Sequence, residues 1–413
     1  MLTVDAACAT LLDLVQPLDP QHDRETLPLL AATGRILATP VISPLDFPHW
    51  DNSAMDGYAV RYEDVQTASP DRPVQLTIVT EVPAGSQPQV TVQPGQAARI
   101  FTGSMLPSGT DTIVIQEHTQ RAGNTVTIQH APQPQAFVRH QGSFCRAGED
   151  LLPAGIRLQA ATIALLAAAQ WVEVSVYRRP RVVILSTGDE LVPPDHPLQP
   201  GQLVDSNQYA LATLVQQFGA EPILGGIVPD HPEALRTAIA AALPQADLVL
   251  SSGGVSVGDY DYVAPVLTEL GGTIAVKSVA VRPGKPLTIA HFPQPGGRRC
   301  LYVGLPGNPA SALVTSWRFV QPALQKLAGL AADWGPAWVW ATSQADLQAD
   351  RQRETYLWGQ LRSGAGGYDF QLVAGGHSSG NLVNLAQANA LAMVPVGATI
   401  VAGDPVRVMP LDI

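Results

Sequence analysis

Apolar positions recur at helical spacing over residues 3–16, and a second helix is predicted from Thr26 to Leu37. From Ile42 to Val138 the texture changes to short β-rich runs, among them VQLTIVTEV, QAARIFTG, DTIVIQE and TVTIQH. Pro, Gly and Asn turns separate them, which is the pattern of a small all-β module. A helical run, ATIALLAAAQW, and a strand, VEVSVY, come next. The β module therefore reads as an insertion between two parts of one helical domain.

Beyond Arg181 near-continuous apolar strands alternate with amphipathic helices. RVVILSTG, NQYALATLVQQFG, EPILGGIV, HPEALRTAIAAAL, DLVLSSGG and DYVAPVLTELGG follow one another. The β runs TIAVKSVAV and LTIAHF, the strand RRCLYVGL and the helix PASALVTSWRFVQPALQKLAG complete the series. Such alternation predicts a mainly parallel sheet covered on both faces. From about Ala331 to Ile413 the patterning returns to β type with Gly turns, a barrel or a sandwich.

Composition narrows the class. The 413 residues are 46% hydrophobic and 14% charged, enough for sizeable cores and, at roughly 100–200 residues per domain, two to four domains. The net charge of −11 and the absence of a basic run argue against nucleic acid and anionic membranes as partners. Three distant cysteines without CxxC spacing fit a reducing compartment. The start lacks a basic flank ahead of its apolar stretch, and no run approaches the ~20 apolar residues of a membrane span. A cytoplasmic chain is expected.

Ligands of open α/β sheets bind beyond the carboxyl ends of the strands. Here those ends carry STGDE (186–190), PDH (229–231), SGGVSVGDYD (252–261) and GLPGNPAS (304–311), with RPGKP (282–286) in the β region. Each loop alone reads equally well as a glycine-rich connection; together they favour a site. Ser252-Gly253-Gly254 ahead of a helix offers backbone N–H groups to an anion. Asn308 is placed to cap a helix with Pro309 at its first position, whatever else that terminus does. Lys277, Arg282 and Lys285 concentrate positive charge, or are solvated loop cations. Asp189, Glu190, Asp230, Asp259 and Asp261 would lie beside them, and carboxylates beside a phosphate site suit Mg²⁺. Helix capping is the alternative for Asp259 and Asp261. Gly254–Gly258 matches GxSxG, with Asp261 and His291 downstream. Ser251-Ser252-Gly253 intervenes between strand and motif, and Asp261 is too near, so a serine hydrolase is not supported. Two further patches, DFPHWDNSAMDGYAV and RIFTGSMLPSGTD, contain Asp56 and Thr102, for which turn chemistry and function stand level.

DNSAMDGYAVR, RIFTGSMLPSGTDTIVIQE, ILSTGDEL, SSGGVSVGDYDY, VRPGKP and GLPGNPASA, in this order, resemble the molybdopterin molybdenumtransferases, the MoeA family, which includes the C-terminal domain of gephyrin. The resemblance spans essentially the whole chain. It implies a multidomain α/β plus β fold. The mainly parallel three-layer α/β domain (179–330) would resemble molybdopterin adenylyltransferases. Around it would lie an inserted β-rich module (43–138), a discontinuous helical linking domain (1–42 and 139–178) and a C-terminal β barrel (331–413). It implies an elongated homodimer that inserts molybdate into adenylylated molybdopterin, releasing AMP with the help of Mg²⁺.

By this resemblance Asp56, Thr102, Glu190, Asp230 and Asp261 are catalytic, with Glu190, Asp230 and Asp261 as metal ligands. Ser252, Gly253, Gly254, Lys277, Arg282, Lys285, Pro306, Asn308 and Pro309 would bind substrate, joined by Arg353 and Ser379 from shorter matches. The family's cleft lies at the dimer interface, so Asp56 and Thr102 would face the other subunit. The implied partners are the molybdopterin adenylyltransferase that makes the substrate and the molybdoenzyme apoproteins that take the product. Two departures stand out. Phe144 occupies a usually acidic position, and Lys277 precedes by one residue the position of a family base, which here is Ser278. The neighbouring reaction, ATP-dependent adenylylation, is paired with an SGGTG loop that this chain lacks. A receptor-docking scaffold would not require Asp230, Asp261 and Lys285 together.

Overall fold

The computed structural model describes residues 1–254, 262–364 and 366–411, which form two compact units. The first comprises Met1–Thr39, Ala154–Ala160 and Glu173–Ile413; the second comprises Pro40–Pro153 and Ala161–Val172. The second unit thus takes in residues 139–153, which the sequence reading assigns to the linking domain. No helix among the described residues is long and apolar enough to cross a membrane.

In the first unit a six-stranded sheet runs edge to edge through Glu221–Val228, Arg181–Thr187, Leu248–Ser252, Arg299–Leu305, Pro286–Pro293 and Thr273–Ser278. Its first four strands are parallel and the last two antiparallel. Side chains alternate across a strand, and the burial follows suit. Val182 and Ile184 enter one core with Leu248, Leu250, Leu301 and Val303, under the helices Val4–Leu14, Asn207–Gln217, Pro309–Thr315 and Gln321–Leu327. Val183, Leu185, Val249 and Tyr302 enter another, under Pro232–Ala242 and Val263–Glu269. Burial on both faces is why these strands read as unbroken apolar runs.

The helix predicted from Thr26 to Leu37 does not form. Arg24–Pro28 is a strand paired antiparallel with Glu173–Tyr177, and the chain then turns through Gly34 at φ +78°. Pro28 carries no N–H and disfavours the helical region at Leu27, which strand pairing exploits.

The C-terminal segment closes on itself. Glu354–Gly364 pairs with Gly367–Leu372, which pairs with Val339–Ser343, then Pro405–Pro410, then Ala390–Val394, which returns to Glu354–Gly364. This is a closed five-stranded barrel, which leaves no edge between those strands. Phe370, Ala392, Val394, Val406 and Val408 fill it, whereas Tyr356, Trp358, Leu391 and Met409 join the core beneath the α/β sheet. The alternation of one strand, Tyr356 and Trp358 against Leu357, therefore fixes the barrel to the sheet domain.

The second unit carries its own six-stranded sheet, in the order Thr112–Ile115, Gly57–Val60, Gln96–Ile100, Val74–Val82, Thr125–Ile128 and Thr119–Ala122. Tyr58 and Val60 face one small core and Ala59 the other.

Candidate active site

A cavity of about 1190 Å³ opens along the carboxyl ends of the parallel strands. It exceeds the roughly 300–1000 Å³ that holds one drug-sized ligand, leaving room for two reactants. One wall is the sheet edge. Thr187 ends one parallel strand and Glu190 follows it, Asp230 follows another; Ser252 ends a third, with Gly253 and Gly254 after it; Pro306, Gly307, Asn308 and Pro309 follow the fourth. Gly253 sits at φ +94°, and a Cβ there would lie 2.5 Å from the Thr187 carbonyl oxygen, so only glycine lets this loop lie against the neighbouring strand.

The barrel side forms the opposite wall. Val281–Arg282 adds a short parallel strand to Glu354–Gly364, matching Arg282 with Thr355. That pairing brings Arg282 beside the turn that carries Asp350 and Arg353. Asp350 Oδ2 accepts from Arg353 Nη2 at 2.7 Å and lies 3.8 Å from Arg282 Nη1. The Arg353 hydrogen bond, above all, holds the Asp350 carboxyl at about 2. Lys285 follows one turn later, after Gly284, whose added Cβ would meet Thr315 Cγ2 at 2.4 Å. Ser379 lies on a loop tied to the helix Pro309–Thr315: its carbonyl accepts the Ala310 N–H at 2.9 Å.

The sheet wall is electrostatically different. Glu190, Asp189 and Asp230 make no ion pair among the described residues. Asp230 lines the cavity; burial pushes its carboxyl up, the charges of Glu190 and Asp189 push it further, and a Thr187 hydrogen bond opposes them. The Asp230 N–H donates to Asp189 Oδ1 at 3.1 Å, so the two acidic loops are joined.

The cavity gathers Glu190, Asp230, Ser252, Gly253, Gly254, Arg282, Lys285, Pro306, Asn308, Pro309, Arg353 and Ser379. Lys277 is not among its lining residues; it is exposed on the edge strand Thr273–Ser278. Asp261, like Asp259 and Ser256, lies outside the described residues. Gly253 and Gly254 sit at φ +94° and +69°, outside the helical region, and the next described helix is Val263–Glu269. Asn308 holds the expected cap position ahead of Pro309, but caps through its backbone carbonyl, which accepts from Ala312 at 3.0 Å, not through its side chain. Asp56 and Thr102 belong to the second unit, where Thr102 donates to Asp56 Oδ1 from its N–H at 2.8 Å and from its hydroxyl at 2.7 Å. Those two bonds, the backbone one first, hold the Asp56 carboxyl below its ordinary value.

Sequence reading missed Asp205, Asn207, Asp350 and His377, all on the cavity wall. Asp205 and Asn207 carry a legible signal, polar residues at a helix start, which reads as capping alone. Nothing distinguishes Asp350 or His377 until the barrel closes. His377 packs on Trp358 with ring centroids 4.6 Å apart, and burial pushes its imidazole below the ordinary value. Among the described residues neither of its ring nitrogens has a hydrogen-bond partner.

Fold and cavity together define a multidomain protein with a ligand-sized cavity at the carboxyl edge of a parallel sheet, opposite a small barrel. Comparison with known proteins gives the family. Residues 2–169 match the MoeA N-terminal region (domain I and II), 183–326 a probable molybdopterin binding domain, and 341–411 the MoeA C-terminal region (domain IV). A molybdopterin molybdenumtransferase of Nostoc sp. is 59% identical over 402 residues, covering 97% of this chain and 92% of that protein. One of Haemophilus influenzae is 39% identical over 330 residues, covering 80% and 78%. A crystal structure of the molybdopterin biosynthesis protein moeA from Pyrococcus horikoshii superimposes with a TM-score of 0.83 at 27% identity, covering 99% of this chain and all of the other. The chain belongs to the MoeA family, the molybdopterin molybdenumtransferases.

Proposed function

We propose that this chain completes the molybdenum cofactor: it takes adenylylated molybdopterin and molybdate, joins molybdenum to the dithiolene and releases AMP. The observation that carries the reading is that one cavity gathers the cations Arg282, Lys285 and Arg353 together with the carboxylates Glu190 and Asp230. Both substrates are anions, and a chain of net charge −11 meets them only through a local positive site. Lys285 and Arg282 supply it, with Arg353 held in place by Asp350. Ser379, on the loop bound to the helix Pro309–Thr315, lines the same cavity.

The carboxylates suit Mg²⁺. Among the described residues no group of three or more His, Cys, Asp or Glu stands ready for a metal. Yet Mg²⁺ is held by as few as one or two carboxylates plus waters and substrate phosphates. Among the described residues Glu190 and Asp230 are oxygen donors without a cation partner, and burial, with the charges of Glu190 and Asp189 added to it, raises the Asp230 carboxyl, which a cation would counter. With Asp261 they would hold the ion, which supplies charge neutralisation at the phosphate oxygens. The chain's own part is to bind the pyrophosphate through Lys285 and the SGG loop, and to orient the pterin against the oxyanion.

The proposal extends to a cytoplasmic homodimer in which Asp56 and Thr102 also serve the reaction. It extends too to transfer from a molybdopterin adenylyltransferase and onward to molybdoenzyme apoproteins. The test is direct. Purified protein given adenylylated molybdopterin, molybdate and Mg²⁺ should release AMP and yield cofactor that reconstitutes an apo-molybdoenzyme. No AMP above the protein-free control would refute the reading, and light scattering that shows a fully active monomer would refute the dimer.

A further inference from the structure

Asn207 opens the helix Asn207–Gln217 and is 9% exposed. Its Nδ2 lies 2.8 Å from the Gly307 carbonyl oxygen and 2.6 Å from Ser252 Oγ. A carbonyl oxygen can only accept, so the contact with Gly307 determines which end of the amide faces it. The same nitrogen is then the donor to Ser252, and both of its hydrogens are committed.

The consequence falls on Ser252. Its hydroxyl accepts from Asn207, so its own proton is left to another acceptor. Among the described residues Asn207 is that hydroxyl's only hydrogen-bond partner. Ser252 ends the strand Leu248–Ser252, is 2% exposed and lines the cavity. A hydroxyl proton excluded from its nearest neighbour and set in a cavity wall with Lys285 and Arg282 points to an anionic acceptor.

We propose that Asn207 is a positioning residue that makes Ser252 a hydrogen-bond donor to the substrate's phosphate oxygens. By the same two bonds it holds the SGG loop and the loop around Gly307 in register. The identity of the phosphate rests on the reading given under Proposed function; the donor role does not.

A double-mutant cycle read by calorimetric titration of the full chain separates the two. Wild type, Asn207→Ala, Ser252→Ala and the double variant are titrated with adenylylated molybdopterin and, separately, with inorganic pyrophosphate. Each single variant should bind about 10-fold more weakly, the scale of one lost hydrogen bond to a charged group. The double variant should be no more than about 3-fold weaker than Ser252→Ala, because both changes remove one interaction. Asn207→Asp keeps the volume but can only accept, turning the Ser252 proton away from the cavity, and should bind more weakly than Asn207→Ala. It replaces Asn207→Ala in the cycle if that variant does not fold. Additive losses with either probe would overturn the donor role, leaving Asn207 a mere clamp on the loops. Non-additive losses with pyrophosphate and no binding of the adenylylated pterin would keep the donor role and overturn the substrate assignment. Binding of neither probe by wild type would overturn both.

Discussion

The two walls of the cavity hold their charges in opposite ways. On the barrel wall Asp350 lies between Arg353 and Arg282, and its carboxyl falls to about 2, so the cations are oriented before any ligand arrives. On the sheet wall Glu190, Asp189 and Asp230 have no cation partner among the described residues, and burial first, then the charges of the other two, raises the Asp230 carboxyl. On the first wall the carboxylate is paired with cations; on the second, burial and then neighbouring negative charge disfavour the ionised carboxyl. Preorganised charge lowers the reorganisation a reaction must undergo, whereas repulsion that a bound cation relieves ties occupancy to the ligand.

The largest effect should come from the strained wall. Asp230→Asn is expected to lower AMP release at least roughly 100-fold, the scale of losing a major electrostatic contributor, with near-normal binding of the adenylylated pterin. The same variant should melt higher than wild type at neutral pH. A carboxyl raised in the fold favours the protonated state, so its contribution to stability declines as pH climbs above the ordinary value, and the amide escapes this decline. Wild-type turnover, or a lower melting temperature, would erase the contrast between the walls. Next in size is Lys285→Ala, which should weaken binding of the adenylylated pterin about 10- to 100-fold in a direct titration and leave the melting curve in place.

On the preorganised wall the expected effect is smaller. Asp350→Asn frees two guanidiniums at an exposed site, where such pairs are weak, and should shift the KM for molybdate by about 2- to 5-fold. The shift should be level across about pH 5 to 8, because the native carboxyl is ionised throughout. His377→Gln should act through pH alone. The native imidazole is held below its ordinary 6.5, so wild-type stability is full above that value and declines as pH falls through it. The variant should lose less between pH 7 and pH 5 in chemical denaturation, and equal losses would remove burial as the cause.

Much of this was legible along the chain. The strands RVVILSTG and DLVLSSGG declared themselves as unbroken apolar runs because both sheet faces are covered. The loops at their carboxyl ends announced the cavity because glycine and polar residues gather where the backbone must approach a ligand. Where the reading failed, a non-local partner won. Thr26–Leu37 has helical periodicity, yet Arg24–Pro28 pairs with Glu173–Tyr177, nearly 150 residues away. Lys277 is a separate case: it sits one residue off the matching motif, and successive side chains of a strand take opposite faces. It is exposed on an edge strand and absent from the cavity lining.

By itself the sequence determined what is local and repetitive: the period of each element, the glycines that permit close approach, the motifs that mark the family, and the surplus of negative charge that any anion site must overcome. Tertiary structure alone decided what depends on closure. The barrel had to close before Asp350 and His377 could join a wall with Arg282, and the sheet had to form before Asn207 could reach both Ser252 and Gly307. Hydrogen bonds and ion pairs act over a few ångströms, and only the folded chain brings residues 45 and 100 positions apart within that reach.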